Sequence, residues 1–152
     1  DFYAMNKRTL RVYGFLEDAT GRLLIAFERF RGLPLVKFPG GGIEWGESHQ
    51  TALCREFQEE LGLHIAVGPC LFFNDFAVQS AIDPEVQVQS FFYAVRALEP
   101  LDSLVTSEVR EVPENDGERF VWVPAEEVLK LPFTFEIEQA ASRAWAASKT
   151  PQ

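Results

Sequence analysis

From Thr9 to Leu16 (TLRVYGFL), β-branched, aromatic and aliphatic residues alternate with polar ones and then crowd them out, and Leu23 to Phe27 is a continuous apolar run. Runs of this length and composition predict strands, and the turn signal Asp18-Ala19-Thr20-Gly21 between them predicts a hairpin. A charged loop, Glu28 to Gly32, leads to a short strand from Leu35 to Phe38 that stops at Pro39. The period then changes. Leu53, Phe57 and Leu61 recur every fourth position, the spacing of one helix face, with Ser48 placed to cap a helix over His49 to Leu61 and Gly62 to end it. His64 to Asp75 and Val86 to Leu98 are again strand-like, around a polar loop from Gln79 to Glu85. Leu101 to Gly117 is an acidic, turn-rich insertion, and Phe120 to Val123 a last strand. Pro124 suits the first turn of a short helix through Lys130, and Phe135 to Ala147 has helix-forming composition. With no repeat and no linker, mixed strands and helices predict one α/β domain over residues 1–152.

The helix from His49 carries a second pattern beside its apolar one. Glu56, Glu59 and Glu60 stand at i, i+3 and i+4, within about 100° of one another on the arc adjoining the apolar stripe. Three unneutralised carboxylates so placed repel one another, and a hard cation such as Mg²⁺ or Mn²⁺ among them removes the conflict. Oxygen donors without nearby cysteines or paired histidines argue against zinc. Ahead of the helix, Gly40, Gly41 and Gly42 run together, which permits backbone conformations and close approaches denied to other residues.

Composition narrows the setting. At 152 residues, 47% hydrophobic with 14 Phe, the chain can fill a sizeable core. A formal charge of −9 opposes diffuse attraction to nucleic acid or to an anionic membrane, so neither is expected as a partner. A polyanionic small substrate must then be received locally, by metal and a few cations. No apolar run approaches the roughly 20 residues of a membrane span, and nothing at the start resembles a signal peptide, so a cytoplasmic protein is expected. Cys54 and Cys70 lack a CxxC or a histidine-rich partner and read as two reduced core thiols. Asp1-Phe2-Tyr3-Ala4 precede the one methionine, and Met5 reads as the native start with residues 1–4 a remnant ahead of it.

In order, Gly41, five residues, Glu47, seven residues, Arg55-Glu56, apolar Phe57, Gln58, Glu59-Glu60, Leu61, Gly62 and Leu63 match the Nudix box. The chain resembles a Nudix hydrolase over these 23 residues, from Gly41 to Leu63. Phe57 departs from the aliphatic residue usual at its position. Outside the box the likeness continues in Phe38-Pro39-Gly40-Gly41-Gly42 and in Glu118 followed by Trp122. The resemblance implies an α/β/α sandwich with a mixed sheet. It also implies Mg²⁺- or Mn²⁺-dependent attack of an activated water on the pyrophosphate of a nucleoside diphosphate joined to another group. A sensor or regulator that binds nucleotide without turnover is the alternative, although such a protein usually lacks box glutamates or carries a DNA-binding domain. Assembly stays open between monomer and homodimer.

Carried over residue by residue, the resemblance makes Glu56, Glu59 and Glu60 metal ligands, with the Gly41 carbonyl a further one. Arg55, four residues before Glu59, orients that side chain, and Glu47 supports Arg55 or the helix end. The general base is either a box glutamate, Glu56 or Glu59, or a later acid among Glu108, Glu111, Glu114, Asp116 and Glu118. Glu118, at the start of the last strand, is preferred. Arg29 and Arg31 offer forked donors to phosphates, Gly40 close backbone approach, and Phe76 a stacking face with Phe73, Phe91 and Tyr93. His49 and His64 are assigned no chemistry. The proline or tyrosine that marks ADP-ribose or diadenosine polyphosphate hydrolases beyond the box is missing around Val78-Gln79-Ser80-Ala81, as are NADH and coenzyme A signatures. The substrate's second group is therefore unassigned.

Overall fold

A computed structural model describes residues 4–149; Asp1, Phe2 and Tyr3, read above as part of a remnant, lie outside the described residues. Among the described residues seven strands and three α-helices follow one another as β1 (Lys7–Leu16), β2 (Leu23–Phe30), β3 (Leu33–Lys37), β4 (Gly40–Gly42), α1 (His49–Leu61), β5 (Ile65–Phe73), β6 (Val86–Ala97), β7 (Gly117–Val123), α2 (Ala125–Val128) and α3 (Glu136–Ser148), with one 3-10 turn at Leu101–Ser103 before β7. The strands form two sheets. One is mixed, in the order β4-β1-β6-β5, and the other, β3-β2-β7, is antiparallel throughout.

The expected hairpin of β1 and β2 does not form. Its turn is present, with Asp18 Oδ1 accepting the Thr20 and Arg22 amides at 3.0 and 2.9 Å, and one bridge joins Glu17 to Leu23. Beyond that bridge the strands part and enter different sheets. β1 pairs parallel with β6 along its whole length, Lys7 opposite Val86 through Leu16 opposite Val95, while β2 pairs with β7. The local turn fixes one residue pair; burial decides the rest.

Alternation along the strands then makes two cores. Val12, Leu16, Leu24 and Ala26 face α1 through Ala52, Leu53 and Phe57. Tyr13, Phe15, Leu23, Ile25 and Phe27 face the other way, toward Ile137, Ala141 and Trp145 of α3. The result is the α/β/α sandwich with α1 and α3 on opposite faces. Phe57, the departure from an aliphatic residue, is fully buried because Gly14 makes room for it: a Cβ on Gly14 would fall 2.7 Å from the Phe57 ring.

Two further expectations are revised. The segment from Glu28 is strand through Phe30, and Arg31 and Gly32, at φ 49° and 78°, make the tight turn into β3. Two consecutive positive φ values match the hairpin twist that a charged-loop reading overlooks. Of the two cysteines only Cys54 is half-buried; Cys70 is exposed, where register shifts in β5 on either side of it turn the side chain out.

Candidate active site

Local chemistry fixes α1 at both ends. Ser48 Oγ accepts the Thr51 amide at 3.0 Å, and Gly62, at φ 62°, lets its own amide and that of Leu63 return to Gln58 and Phe57 carbonyls. The helix thereby holds its acidic arc against the glycine run. Gly41 is the point of contact, since a Cβ there would fall 2.5 Å from the Glu56 carboxyl group. Only a residue without a side chain allows that approach.

Arg55 ties the loop before the helix to the helix itself. Its Nε and Nη2 donate to the two Glu47 oxygens at 2.7 and 2.8 Å, and Nη2 also reaches the Gly42 carbonyl at 3.0 Å. Nη1 donates to Glu56 at 3.1 Å and, more distantly, to Glu59 at 3.3 Å. Glu47, rather than Glu59, is thus the main partner, and the pair lowers the Glu47 carboxyl to about 2.

A cleft of about 310 Å³ opens beside this corner. Gly40, Gly41, Gly42, Glu56 and Glu60 line it at one end, with Arg11 and Tyr13 of β1, Glu28 of β2 and Lys37 of β3. Loop residues Val78 to Ile82, with Phe135 just before α3 and Ile137 and Glu138 in its first turn, close the rest. A larger open hollow, about 1080 Å³, lies between Trp122, Trp145 and the Arg96–Asp102 segment but contains no box residue, so the chemistry favours the smaller cleft.

The electrostatics of the cleft are unusual for its size. Burial raises Glu60 above the ordinary carboxylate range, and the charge of Glu118 raises it further, against the pull of Lys37. Glu118, raised by burial and then by Glu28, sits directly opposite Glu28 across the β2–β7 ladder. One oxygen of Glu118 is buried without a hydrogen-bond partner. Glu28 itself pairs with Lys37 at 3.2 Å. Among the described residues no three acids close around one point, and Glu59 is exposed and turned toward Arg55. What the corner offers a hard divalent cation is the half-buried carboxylates of Glu28, Glu56 and Glu60, with the orphaned oxygen of Glu118 beside Glu28 although Glu118 itself does not line the cleft.

These raised carboxyls fix a sign. Between about pH 4.5, the ordinary value, and pH 8, reached by Glu138 through burial, the folded chain holds more protons than the unfolded one. Stability therefore falls as pH rises through that window. Groups held low, such as Glu47, titrate beneath it. Without divalent metal, the melting temperature should be higher near pH 5.5 than near pH 8, and Mg²⁺ should recover part of the loss at pH 8. A melting temperature that rises over this interval without metal would contradict the placement of these acids.

Several residues singled out from the sequence lie elsewhere. Arg29 donates to the Pro113 carbonyl at 2.6 Å and to Gly32, while the Arg31 and Gly32 amides donate to Asp116 at 3.1 and 3.0 Å. Neither arginine lines the cleft, and Asp116 is occupied in holding the turn. Arg11 and Lys37, both in the cleft, are the cations that the sequence reading passed over; the signal was a single basic residue inside an otherwise apolar strand. Phe73 and Phe76 are exposed, and Phe73 stacks on Phe91, which packs against His49. This aromatic group does not line the cleft, whereas Phe30 and Phe135 do. Glu108, Glu111 and Glu114 are exposed on the insertion.

The NUDIX domain family model matches residues 7–146. The chain belongs to that family. An RNA pyrophosphohydrolase of Teredinibacter turnerae is 50% identical over 48 residues, a match covering 32% of this NUDIX chain and only 28% of that relative's length. A MutT protein from Methanosarcina mazei shares the fold at a TM-score of 0.71 and 16% identity, over 95% of this chain and 98% of its own. The NUDIX domain of Shewanella oneidensis NrtR, solved in complex with ADP ribose, does so at 0.63 and 18%, over 99% and 94%. No helix among the described residues is long and apolar enough to cross a membrane.

Proposed function

We propose that this NUDIX chain is a divalent-metal-dependent pyrophosphohydrolase acting on a nucleoside diphosphate joined to another group. The observation that carries the reading is the placement of Glu28, Glu56 and Glu60 at the glycine end of the cleft, with Glu118 opposite Glu28 on the β2–β7 ladder and close enough for its charge to raise Glu60. The short match to an RNA pyrophosphohydrolase supports anhydride cleavage as the chemistry. Glu56 and Glu60, with the Gly41 carbonyl, would hold the cation, and Glu59 would join from the outer side of the helix. Bound Mg²⁺ or Mn²⁺ supplies charge neutralisation at the phosphate oxygens and makes water more acidic.

The remaining roles belong to the protein. Arg11, whose Nε donates to the Tyr13 hydroxyl at 2.5 Å, and Lys37 bring positive charge to a cleft inside an acidic chain, where a substrate's phosphates can meet it. Arg55 and Glu47 keep the glycine loop and the helix in register. Glu118 takes the proton of the attacking water. Burial and the neighbouring Glu28 keep its proton affinity high, which suits an acceptor near neutral pH.

Glu118→Gln should therefore lower kcat about 10²-fold or more while KM stays near the wild-type value, because the lost interaction belongs to the transition state. Asp116→Asn should instead lower the melting temperature, since its carboxylate accepts two turn amides. The check is one assay across Glu118→Gln, Glu108→Gln, Glu111→Gln, Glu114→Gln and Asp116→Asn. A larger fall in kcat at another position moves the role there, and no fall at any of them returns it to Glu56.

A further inference from the structure

Helix α1 covers only part of the sheet face on which it packs. Val12 and Leu16 of β1 lie in the core beneath it, and strand alternation puts Leu10 on the same face, one step beyond Val12. The helix does not reach that step. Its first residue, His49, lies against Phe91 with ring centroids 4.3 Å apart, and Phe91 is the β6 register partner of Val12. Outside this row Leu10 is 40% exposed, and Phe73 of β5, stacked on Phe91, is 53% exposed. At the other edge of the sheet the Ile43 amide donates to the Leu10 carbonyl at 2.9 Å, and two residues later Trp45 stands wholly in solvent. An aromatic side chain brings about 150–250 Å² of surface to a contact, and apolar patches of a few hundred Å² on a protein surface commonly mark an interaction site.

From Trp45 past Leu10 and its partner Gln89 to Phe73, this face crosses the whole strand order β4-β1-β6-β5 and is aromatic at both edges. The edges differ in form. Trp45 projects, whereas Phe73, Phe91 and His49 make a flat seat, held by a 2.7 Å hydrogen bond between His49 Nδ1 and the Tyr93 hydroxyl. A surface with a projection on one side of its centre and a seat on the other is complementary to its own copy turned about a two-fold axis, and each contact then forms twice. Charge selects the same occupant. Exposed Arg8 shares the face by alternation with Leu10, while Glu44 and Asp75, both exposed, flank its two edges. Both signs around one patch suit a second copy; a polyanion or an anionic membrane would meet the acids and the formal charge of −9. We infer that this face is the interface of a homodimer in which Trp45 of each copy packs on the partner's Phe73. The footprint spans four strands, about 14 Å between the outer two, which is less than the about 800 Å² per partner of a standard interface; association is therefore weak, with a Kd of about 10 µM or more. The inference does not rest on the hydrolase reading.

Sedimentation velocity of the full chain, loaded from about 1 to about 500 µM, tests this. Wild type should pass from monomer to dimer with no larger species, because a two-fold contact closes on itself. Trp45→Ala and Phe73→Ser should each raise Kd at least about tenfold, as expected for an aromatic anchor at the centre of each contact. Trp45→Ala should also melt with wild type, since its side chain is wholly exposed, so its loss of dimer cannot come from a loss of fold. Val105→Ser is the control: it removes a bare apolar side chain from the insertion before β7 and should leave Kd unchanged. The inference is overturned by a monomer across the whole range, by a dimer that survives both aromatic substitutions, or by growth beyond the dimer. An equal weakening in Val105→Ser would overturn it as well, because association would then follow exposed apolar surface in general and not this face.

Discussion

Gly40→Ala will cost the fold about 3 kcal/mol or more, a large part of the stability of a domain this size. Gly40 sits at φ 149°, where L side chains are strained, and pairs with Tyr13 across the β4–β1 ladder. A Cβ there would fall 2.1 Å from the Val12 carbonyl oxygen and 2.7 Å from the Tyr13 Cα. Both are backbone atoms of a strand hydrogen-bonded on either side, so neither can move aside without breaking the ladder that seats the cleft. Gly42→Ala is the control, because the nearest atom to a Cβ there is the end of the Arg11 side chain at 3.8 Å. Urea unfolding of the two variants beside wild type reads the difference. A Gly40→Ala midpoint equal to that of Gly42→Ala would show the corner to be looser than described.

Three adjacent glycines thus do different things. Gly40 lets the chain turn against β1, Gly41 admits the Glu56 carboxyl, and Gly42 offers its carbonyl to Arg55. The sequence singles out the run but not which glycine does what, since the division of labour comes from atoms on β1 and α1. Helix α1 was legible in full, caps included, because its signals are local: an N-cap serine, a four-residue apolar repeat and a terminal glycine. The family box was legible for the same reason.

Long-range pairing was not. Nothing local to Lys7–Leu16 points to Val86–Val95 as its parallel neighbour, and the Asp18–Gly21 turn argued for a different one. The same distance hides the match of Gly14 to Phe57, which explains why an aromatic ring is accommodated at that position of the helix. The cations that line the cleft were overlooked for a related reason. Arg29 and Arg31 are close in sequence to the glycine run, but the tight turn at Arg31-Gly32 carries them to the insertion, and strand alternation leaves Arg11 and Lys37 in the cleft. Glu138 was unreadable beforehand, because an acid in a first helical turn has an ordinary explanation until its burial is known.

The remaining large effect concerns the acids themselves. Glu60→Gln removes charge from the glycine corner without changing volume, and Glu56→Gln does the same beside Gly41. Each should lower kcat at least ~10²-fold while leaving the fold intact. Without metal their melting temperatures should match or exceed that of wild type, since like-charge repulsion with Glu118 and Glu28 is relieved. The direct measurement is product release from nucleoside triphosphates, nucleotide sugars, ADP-ribose and dinucleoside polyphosphates, with Mg²⁺, with Mn²⁺ and with chelator, for wild type and Glu60→Gln. The account predicts cleavage of a phosphoric anhydride in at least one substrate class, abolished by chelator and reduced at least ~10²-fold in the variant. Turnover that is indifferent to both metal and Glu60, or nucleotide binding with no cleavage of any of them, would contradict it.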